Sequence, residues 1–568
     1  MPLIDAKHDL GGFDQNQTTN TTSGRSDYCY MFEAAANQSD AGRFTMSAGD
    51  DAETIQRLLS FATWMERVNS NNPIEDLKLR IKLPAAFTYF GQFVNHDLSA
   101  PVGSLKGLVD DIPDSVIIGQ GQLPGVNKLW RAGNTEEIIK RIRNEHAKPL
   151  NLDSLYGEGP FRAVGQPTAD EVRGLYDAEG LRFVLGTTLD ASADTDDQFK
   201  NPVERAIGAP DLARKRMEGK LVTLIADQRN DGNLILAQLH LALMLFHNKA
   251  VDALCPQNPD LAECFACFAA ARRLVTRHYH WCILHDFLPR ILSEGALESA
   301  IQGPLKFTED MRGKVPMEFT TAAYRFGHSL ISGSYDFNSN FGTGRSLQPA
   351  AALIDLFAFT SSGGMKGHDQ LPDHWVIDWD RMTADEPENA APDSSHSEQI
   401  DLRFALGLMS AVADAPTHEL ESIVARNLVR GFHRRIPFGQ VLAGLCGNTA
   451  LEPKDICKAM PTGLAEHPMH PDIGDEGIRR MELATQTPAW LYFLCEAKVC
   501  EGGERLGPTA SRIVAETFVT LMRPKDGAGA VDDDSGWEPT QSPFRTADGH
   551  PVATLRDLLL FAVAPVGG

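Results

Sequence analysis

Apolar residues return every three or four positions over 83–98, 233–254, 261–293, 315–331, 401–412, 418–431 and 509–522, the spacing of helices with a buried face. One more helix is expected near Ala52–Val68. It lies in an otherwise irregular leading arm, residues 1 to about 80, which also carries a polar Asn/Thr/Ser tract from Gln15 to Ser23. Alternating strand patterns are few and short. Asn230-Asp231 is placed to cap the helix that follows it. Thr383–Ser397, acidic with two prolines, and Pro524–Ser535, rich in Gly and Asp, read as surface loops. No internal repeat is present. The pattern predicts a mainly α protein with little β, an arm over 1–80 and a single large helical domain over 81–568.

Composition narrows the partners more than the fold. At 42% hydrophobic and 23% charged, the chain is an ordinary globular one with enough apolar residues for a large core. Its net charge of −23 disfavours nucleic acid and anionic membrane surfaces, both polyanions. The Met1–Asp9 segment lacks a basic stretch followed by an apolar run, and no stretch approaches 18 uncharged apolar residues. The expectation is therefore no signal peptide and no membrane span, with a cytoplasmic location or export without a cleaved signal. Nine cysteines, an odd count, read as reduced and mostly buried thiols. Cys264 and Cys267 stand one helical turn apart, and Phe268 follows where a Cys-x-x-Cys-His haem-attachment motif needs histidine.

Three segments carry residues suited to chemistry. In Phe90-Gly91-Gln92-Phe93-Val94-Asn95-His96-Asp97, Gln92 and His96 share one helix face. His96 is either a satisfied core histidine or an acid/base able to move a proton between the two oxygens of a peroxide. Gln92 could hold a water or halide beside it. In Asp227-Gln228-Arg229-Asn230-Asp231, Arg229 is poorly placed for the dipole of the helix it precedes. It is either half of an ion pair or a fixed positive charge for an anion that forms as a bond breaks. In Tyr324-Arg325-Phe326-Gly327-His328-Ser329-Leu330, a small residue beside His328 lets a flat macrocycle approach the backbone. His328 would then be an iron ligand, with Asn427 as the hydrogen-bond acceptor that orients its ring.

Taken in order, these segments resemble the animal-type haem peroxidases of the peroxidase–cyclooxygenase superfamily. The likeness rests on the Gly-Gln-Phe-x-x-His-Asp stretch, the Arg-Asn-Asp turn, the Arg-x-Gly-His stretch and Asn427-Leu428-Val429-Arg430-Gly431, and runs from about residue 83 to 445. The run Asn233–His240 followed by Phe246-His247-Asn248 looks like the bacterial members. The resemblance implies a haem sandwiched between a distal and a proximal helix. It makes His96 the distal histidine, Gln92 the distal glutamine, Arg229 the distal arginine, His328 the proximal ligand of the haem iron and Asn427 its partner. Arg325 and Arg430 match positions that hold the haem propionates. Many members also bind calcium beside the distal histidine. Asp97, Asn151 and Asp153 match the ligand positions, although Asn151 replaces the usual Asp and Asp153 the usual Ser. Leu150–Gly157 is otherwise a plain turn.

The implied activity is a peroxidase that reduces hydrogen peroxide and, through an oxoferryl state, oxidises small organic donors or iodide, bromide or thiocyanate. Departures from the family sharpen this. Mammalian members tether haem through two carboxylates, and here those positions are Asn95 and Gly232, with Asn233 next. Non-covalent haem b is expected, and chloride oxidation is not. A fatty-acid dioxygenase of the same fold needs a tyrosine three residues before the proximal histidine, which here is Arg325. A non-catalytic adhesion relative would be exported and often shows an Arg-Gly-Asp-like tripeptide, which this chain lacks.

Overall fold

The computed structural model describes residues 4–5, 28–44, 51–71, 80–100, 134–141, 144, 146, 149–163, 166–168, 174–193, 202–256, 259–305, 313–342, 350–385, 395–405, 408, 412–413, 422–460, 480–522 and 536–565. The polar tract Gln15–Ser23, the loop Pro524–Ser535 and most of Thr383–Ser397 lie outside them.

Helices dominate, and β-structure among the described residues is confined to two-stranded ladders. The principal helices are α1 (Asp51–Asn71), α2 (Ala85–Leu98), α3 (Leu234–Leu254), α4 (Leu261–Cys282), α5 (Ile423–His433), α6 (Ala489–Glu501), α7 (Pro508–Met522) and α8 (Leu555–Val563). Helix α3 is the central rod, packed by α2, α4 and α8. By length and mean hydropathy α3 could cross a membrane, although it holds Lys249 and Asp252 and is not an uncharged apolar stretch. Its most apolar window is 83% buried inside the protein, so it is a core helix. Of its buried polar groups, Gln238 is satisfied: it donates to the Trp375 carbonyl at 2.9 Å and accepts from Ile377 N at 2.9 Å.

The caps explain where these helices start. Asn233, not Asn230-Asp231, caps α3, its side chain accepting from Leu236 N at 2.9 Å. Asp227 caps the 3-10 turn Gln228–Asp231 just before it. Asp260 and Glu263 form a reciprocal capping box at the start of α4. After Cys282 the coil widens into a π-helical turn, Ile283–Phe287, before resuming as Leu288–Ile291. That turn sets Phe287 against α2: a Cβ on Gly91 would lie 3.0 Å from the Phe287 ring.

Two expected helices differ. The 315–331 segment divides into a short strand at Val315–Pro316, an α-turn at Met317–Thr321 and a 3-10 turn at Ala323–His328. Ala322 breaks it (φ −132°, ψ −62°), after two β-branched threonines that favour helix weakly. In 401–412, Asp401 takes the Arg403 N–H at 2.8 Å, which turns the chain where a helix would begin. The described residues 401–405 are non-helical, Leu408 is helical, and Val412–Ala413 pairs with Ile4–Asp5 as a strand.

The described parts of the first 80 residues are built into the body. Tyr28–Cys29 pairs in parallel with Val315–Pro316, directly before the proximal turn. The Glu318 carboxylate accepts from Met31 N and Phe32 N at 3.0 Å each, and Tyr30 donates to the Arg434 carbonyl at 2.7 Å. Helix α1 packs on α5, the helix that carries Asn427 and Arg430.

Candidate active site

The distal residues come from α2 and the 3-10 turn Gln228–Asp231. His96 lies near the C-terminus of α2, buried, with Nδ1 2.8 Å from Asn230 Oδ1. An amide oxygen only accepts, so the imidazole carries its proton on Nδ1 and presents Nε2 as a base. Asn230 is fixed in turn, its Nδ2 donating to His240 Nδ1 at 3.0 Å. Burial keeps His240 neutral, pushing its pKa down to about 3. Gln92 sits one turn before His96, and its Oε1 accepts from Asn233 Nδ2 at 3.2 Å. Asn233 thus serves both the α3 cap and the distal glutamine.

Arg229 is buried and held on several sides. It donates to the carbonyls of Ser99 at 2.8 Å and His96 at 2.9 Å, and through Nε and Nη2 to the Asp227 carboxylate at 2.9 and 2.6 Å. Burial raises the Asp227 pKa, but the Arg229 charge and its hydrogen bonds outweigh burial and hold that carboxyl well below the ordinary range. His146 Nε2 lies 3.3 Å from the same guanidinium, and burial and Arg229 lower its pKa. The two expectations for Arg229 meet here: it is half of a buried ion pair, and that pair grips the backbone of the distal histidine.

On the proximal side, His328 ends the 3-10 turn, half-buried, with Nδ1 3.2 Å from Asn427 Nδ2. Arg430 donates to Asn427 Oδ1 at 3.4 Å. The amide therefore turns its NH₂, not its oxygen, toward the imidazole, which differs from the acceptor role expected of it. Arg430 accounts for this by drawing the oxygen toward its own charge. Arg325 donates to the Thr320 carbonyl at 2.8 Å, and its own carbonyl accepts from Trp490. In a 3-10 turn residues three apart eclipse, so Arg325 stands over His328 and Tyr324 is displaced by a third of a turn. The proximal turn packs against α2, α6 and α7. The Tyr324 hydroxyl lies 3.8 Å from where a Gly91 Cβ would be. The distal helix and the proximal turn are therefore neighbours.

These residues suit a haem. An iron bond through His328 Nε2 needs the ring proton on Nδ1, so the Asn427 amide would turn its oxygen to Nδ1 with iron bound. A Cβ on Gly327 or Gly431 would meet nothing within 4 Å, as close approach of a macrocycle requires. Neither Asn95 nor Gly232 offers a carboxylate for an ester.

The candidate calcium ligands are close together but do not suit a cation. Asp97 Oδ2 accepts from Leu152 N at 3.0 Å and the Tyr279 hydroxyl at 3.3 Å. Its Oδ1 accepts from Ser154 N at 3.2 Å and Ser154 Oγ at 3.3 Å. Four donors occupy the four lone-pair directions of the carboxylate. Among the described residues no cluster of three or more His, Cys, Asp or Glu has metal-site geometry. Asp97, Asn151 and Asp153 form a hydrogen-bonded loop anchor.

Asn230, Asp227, His240 and His146 were not singled out as site residues from sequence. Asp227 and Asn230 flank Arg229 in the same motif, and that adjacency was the available signal. His240 follows Asn230 by ten residues, two turns into α3, whereas His146 lies far away in sequence and only folding brings it near.

Parts of the chain are similar to known peroxidases. The family model described as "Animal haem peroxidase" matches residues 177–370, a span holding Arg229 and His328 but not His96 or Asn427. Thyroid peroxidase of Canis lupus familiaris is 26% identical over 183 residues, 32% of this chain and 18% of that protein. Peroxidase mlt-7 of Caenorhabditis elegans is 30% identical over 101 residues, 18% of this chain and 14% of that protein. Chorion peroxidase of Drosophila melanogaster is 27% identical over 130 residues, 22% of this chain and 16% of that protein. The matches thus span less than a fifth of each of these relatives. Among solved structures, Peroxidase A from Dictyostelium discoideum aligns over 78% of both chains with a TM-score of 0.45 and 16% identity. Over residues 177–370 the chain is thus similar to the animal haem peroxidase family, and shorter stretches are similar to these peroxidases. These relatives give no support to a particular likeness to bacterial members.

Proposed function

We propose that this protein is a haem-dependent peroxidase that reduces hydrogen peroxide and oxidises small organic donors or the softer anions iodide, bromide and thiocyanate. The observation that carries the reading is the His96–Asn230–His240 chain. It holds the distal imidazole in the tautomer with a basic Nε2. Haem held by His328 would supply the redox-active iron at which the peroxide bond is cleaved. His96 Nε2 takes the proton from one peroxide oxygen and returns it to the other, so that water leaves. Asn230 positions that base. The Asp227–Arg229 pair holds the His96 and Ser99 carbonyls and so the end of α2. Gln92, fixed by Asn233, orients a water or anion beside His96. Arg325 and Arg430 are placed to meet the propionates, and Asn427 steadies the His328 ring.

Fatty-acid dioxygenation is less favoured, because Arg325 occupies the eclipsed position over His328 and Tyr324 is turned away from it. The test is the visible spectrum of haem-loaded protein before and after one equivalent of hydrogen peroxide, followed by a phenol or iodide. Rapid conversion and recovery on adding the donor are expected; haem that ignores peroxide would overturn the reading. Acid–organic extraction should remove all haem from the polypeptide, since no carboxylate stands at the tethering positions.

A further inference from the structure

We infer that an internal cation, the Arg272 guanidinium, does in this protein the loop-holding work that calcium does in the family, so that the loop beside the distal helix is calcium-independent. The expectation of calcium rests on the family resemblance; the inference rests on the geometry of residues 150–156.

Arg272 Nη2 donates to the Asn151 carbonyl at 2.9 Å and to Asp153 Oδ1 at 3.0 Å. These are the two residues at the calcium-ligand positions of the loop. The same guanidinium lies over the Tyr156 ring, 4.8 Å from its centre, which keeps it aimed at the loop. A planar, always-charged group with several N–H donors is a fair substitute for a hard cation among carbonyl and carboxylate oxygens. Asp153 Oδ1 is further occupied by Asn151 Nδ2 at 3.1 Å.

Helix α4 supplies the rest of the clamp. His280 is eight residues after Arg272, about two turns along the same face. Its Nε2 is 2.6 Å from the Leu150 carbonyl. Tyr279 reaches Asp97 from the same helix. Leu150 (φ 61°) and Leu152 (φ 56°) both adopt the left-handed conformation that branched side chains avoid, so this loop needs outside support to keep its shape. The support consists of Arg272 and His280 on its carbonyls and Asp97 on its N–H groups. Asp97, with both oxygens saturated by donors, acts as an acceptor for the loop backbone, and it adjoins His96. The shape of the loop therefore bears directly on the placement of the distal base.

Calcium content and thermal unfolding of the full-length, haem-loaded protein test this. After equilibration with millimolar calcium and dialysis, elemental analysis should find far less than one calcium per chain, and EGTA should leave Tm unchanged. Retained stoichiometric calcium, or a Tm that falls with EGTA, would overturn the inference. Arg272→Gln should lower Tm and speed amide exchange over 150–156, with Arg272→Lys intermediate because an ammonium lacks the planar fork. An unchanged Tm in Arg272→Gln, or a loss that added calcium fully restores, would count against it. If Arg272→Gln does not fold, the wild-type calcium analysis and the Lys variant decide. None of these readouts depends on peroxide turnover, so they stand apart from the proposed activity.

Discussion

His96 and His328 are each paired with an asparagine side chain, yet their settings differ. His96 sits on a regular helix, and its partner Asn230 is itself tied to His240, while the adjacent Arg229 is neutralised by Asp227 and bonded to backbone. His328 ends a 3-10 turn, half-buried, and its partner Asn427 is shared with Arg430. On the distal side Asn230 fixes His96 and His240 fixes Asn230, the chain ending at a buried His240 Nε2 that has no partner among the described residues. On the proximal side one amide serves two neighbours. A proton-transfer base needs its tautomer set by the protein, whereas a metal ligand is finally oriented by the bond it makes.

The largest expected effect tests the proximal half. His328→Ala should lose haem, or the spectrum of a histidine-ligated iron, and with it activity. His96→Ala should keep haem but react with peroxide slower by about 10²–10⁴-fold, the usual worth of a positioned acid/base. Stopped-flow mixing with peroxide, alongside haem quantification, separates the two. Equal haem loss in both variants would show that the two faces are assigned the wrong way round.

The next effect tests the burial of the distal ion pair. Asp227→Ala leaves the buried Arg229 charge without its counterion, and should destabilise the protein by about 3–5 kcal/mol in chemical denaturation. A cost below about 1 kcal/mol, typical of exposed ion pairs, would mean that the pair is solvated in solution.

Acid should weaken the helical core that supports this network. His247 and His278 are held neutral by burial, with pKa values pushed down to about 4, and His240 to about 3. Their folded-state values lie below the unfolded value of about 6.5, so unfolded chains bind protons first. Stability they contribute is present above pH about 6.5 and is lost as pH falls toward about 4. Glu318 and Glu496, pushed up to about 7 by burial, act in the opposite sense: their contribution is present at low pH and is lost as pH rises through about 7. The prediction is therefore read by difference. His278→Phe should flatten the fall in Tm between pH about 6.5 and 4 relative to wild type. An unchanged profile would show that His278 titrates normally.

The smallest effect probes the shared amide. Asn427→Asp puts an acceptor oxygen at His328 Nδ1 whichever way the side chain turns, which should make the imidazole more basic and the iron harder to reduce. Redox titration of the haem-loaded variant should show a more negative potential; an unchanged value would mean that Asn427 does not bond the ligand in the haem-bound protein.

Much of the architecture was legible from periodicity. Helices α2, α3 and α7 fall within two residues of the expected bounds, since each has buried positions at helical spacing. Helix α6 escaped because Ala489–Ala497 is buried on all sides, leaving no amphipathic contrast to read. The 315–331 pattern was read as one helix because apolar spacing does not register a break at Ala322 or tell α from 3-10 turns. Of the site, the residues within the motifs were legible, because neighbours on one helix or turn have their geometry set by local backbone. Asn427 was legible through family resemblance, and His328–Asn427 contact follows, although the facing of its amide does not.

The sequence by itself determined the helical class, the resemblance to the animal-type haem peroxidases and the shared helix face of Gln92 and His96, because spacing along a helix fixes which side chains stand together. Only the tertiary structure decided what each candidate binds. Arg272, more than a hundred residues after Asn151 and Asp153, reaches their loop because α4 runs beside it. His146, more than eighty residues before Arg229, comes within 3.3 Å of its guanidinium only in the folded chain. Hydrogen-bond partners are settled by which polar groups burial forces together, and that competition is not written into any local pattern.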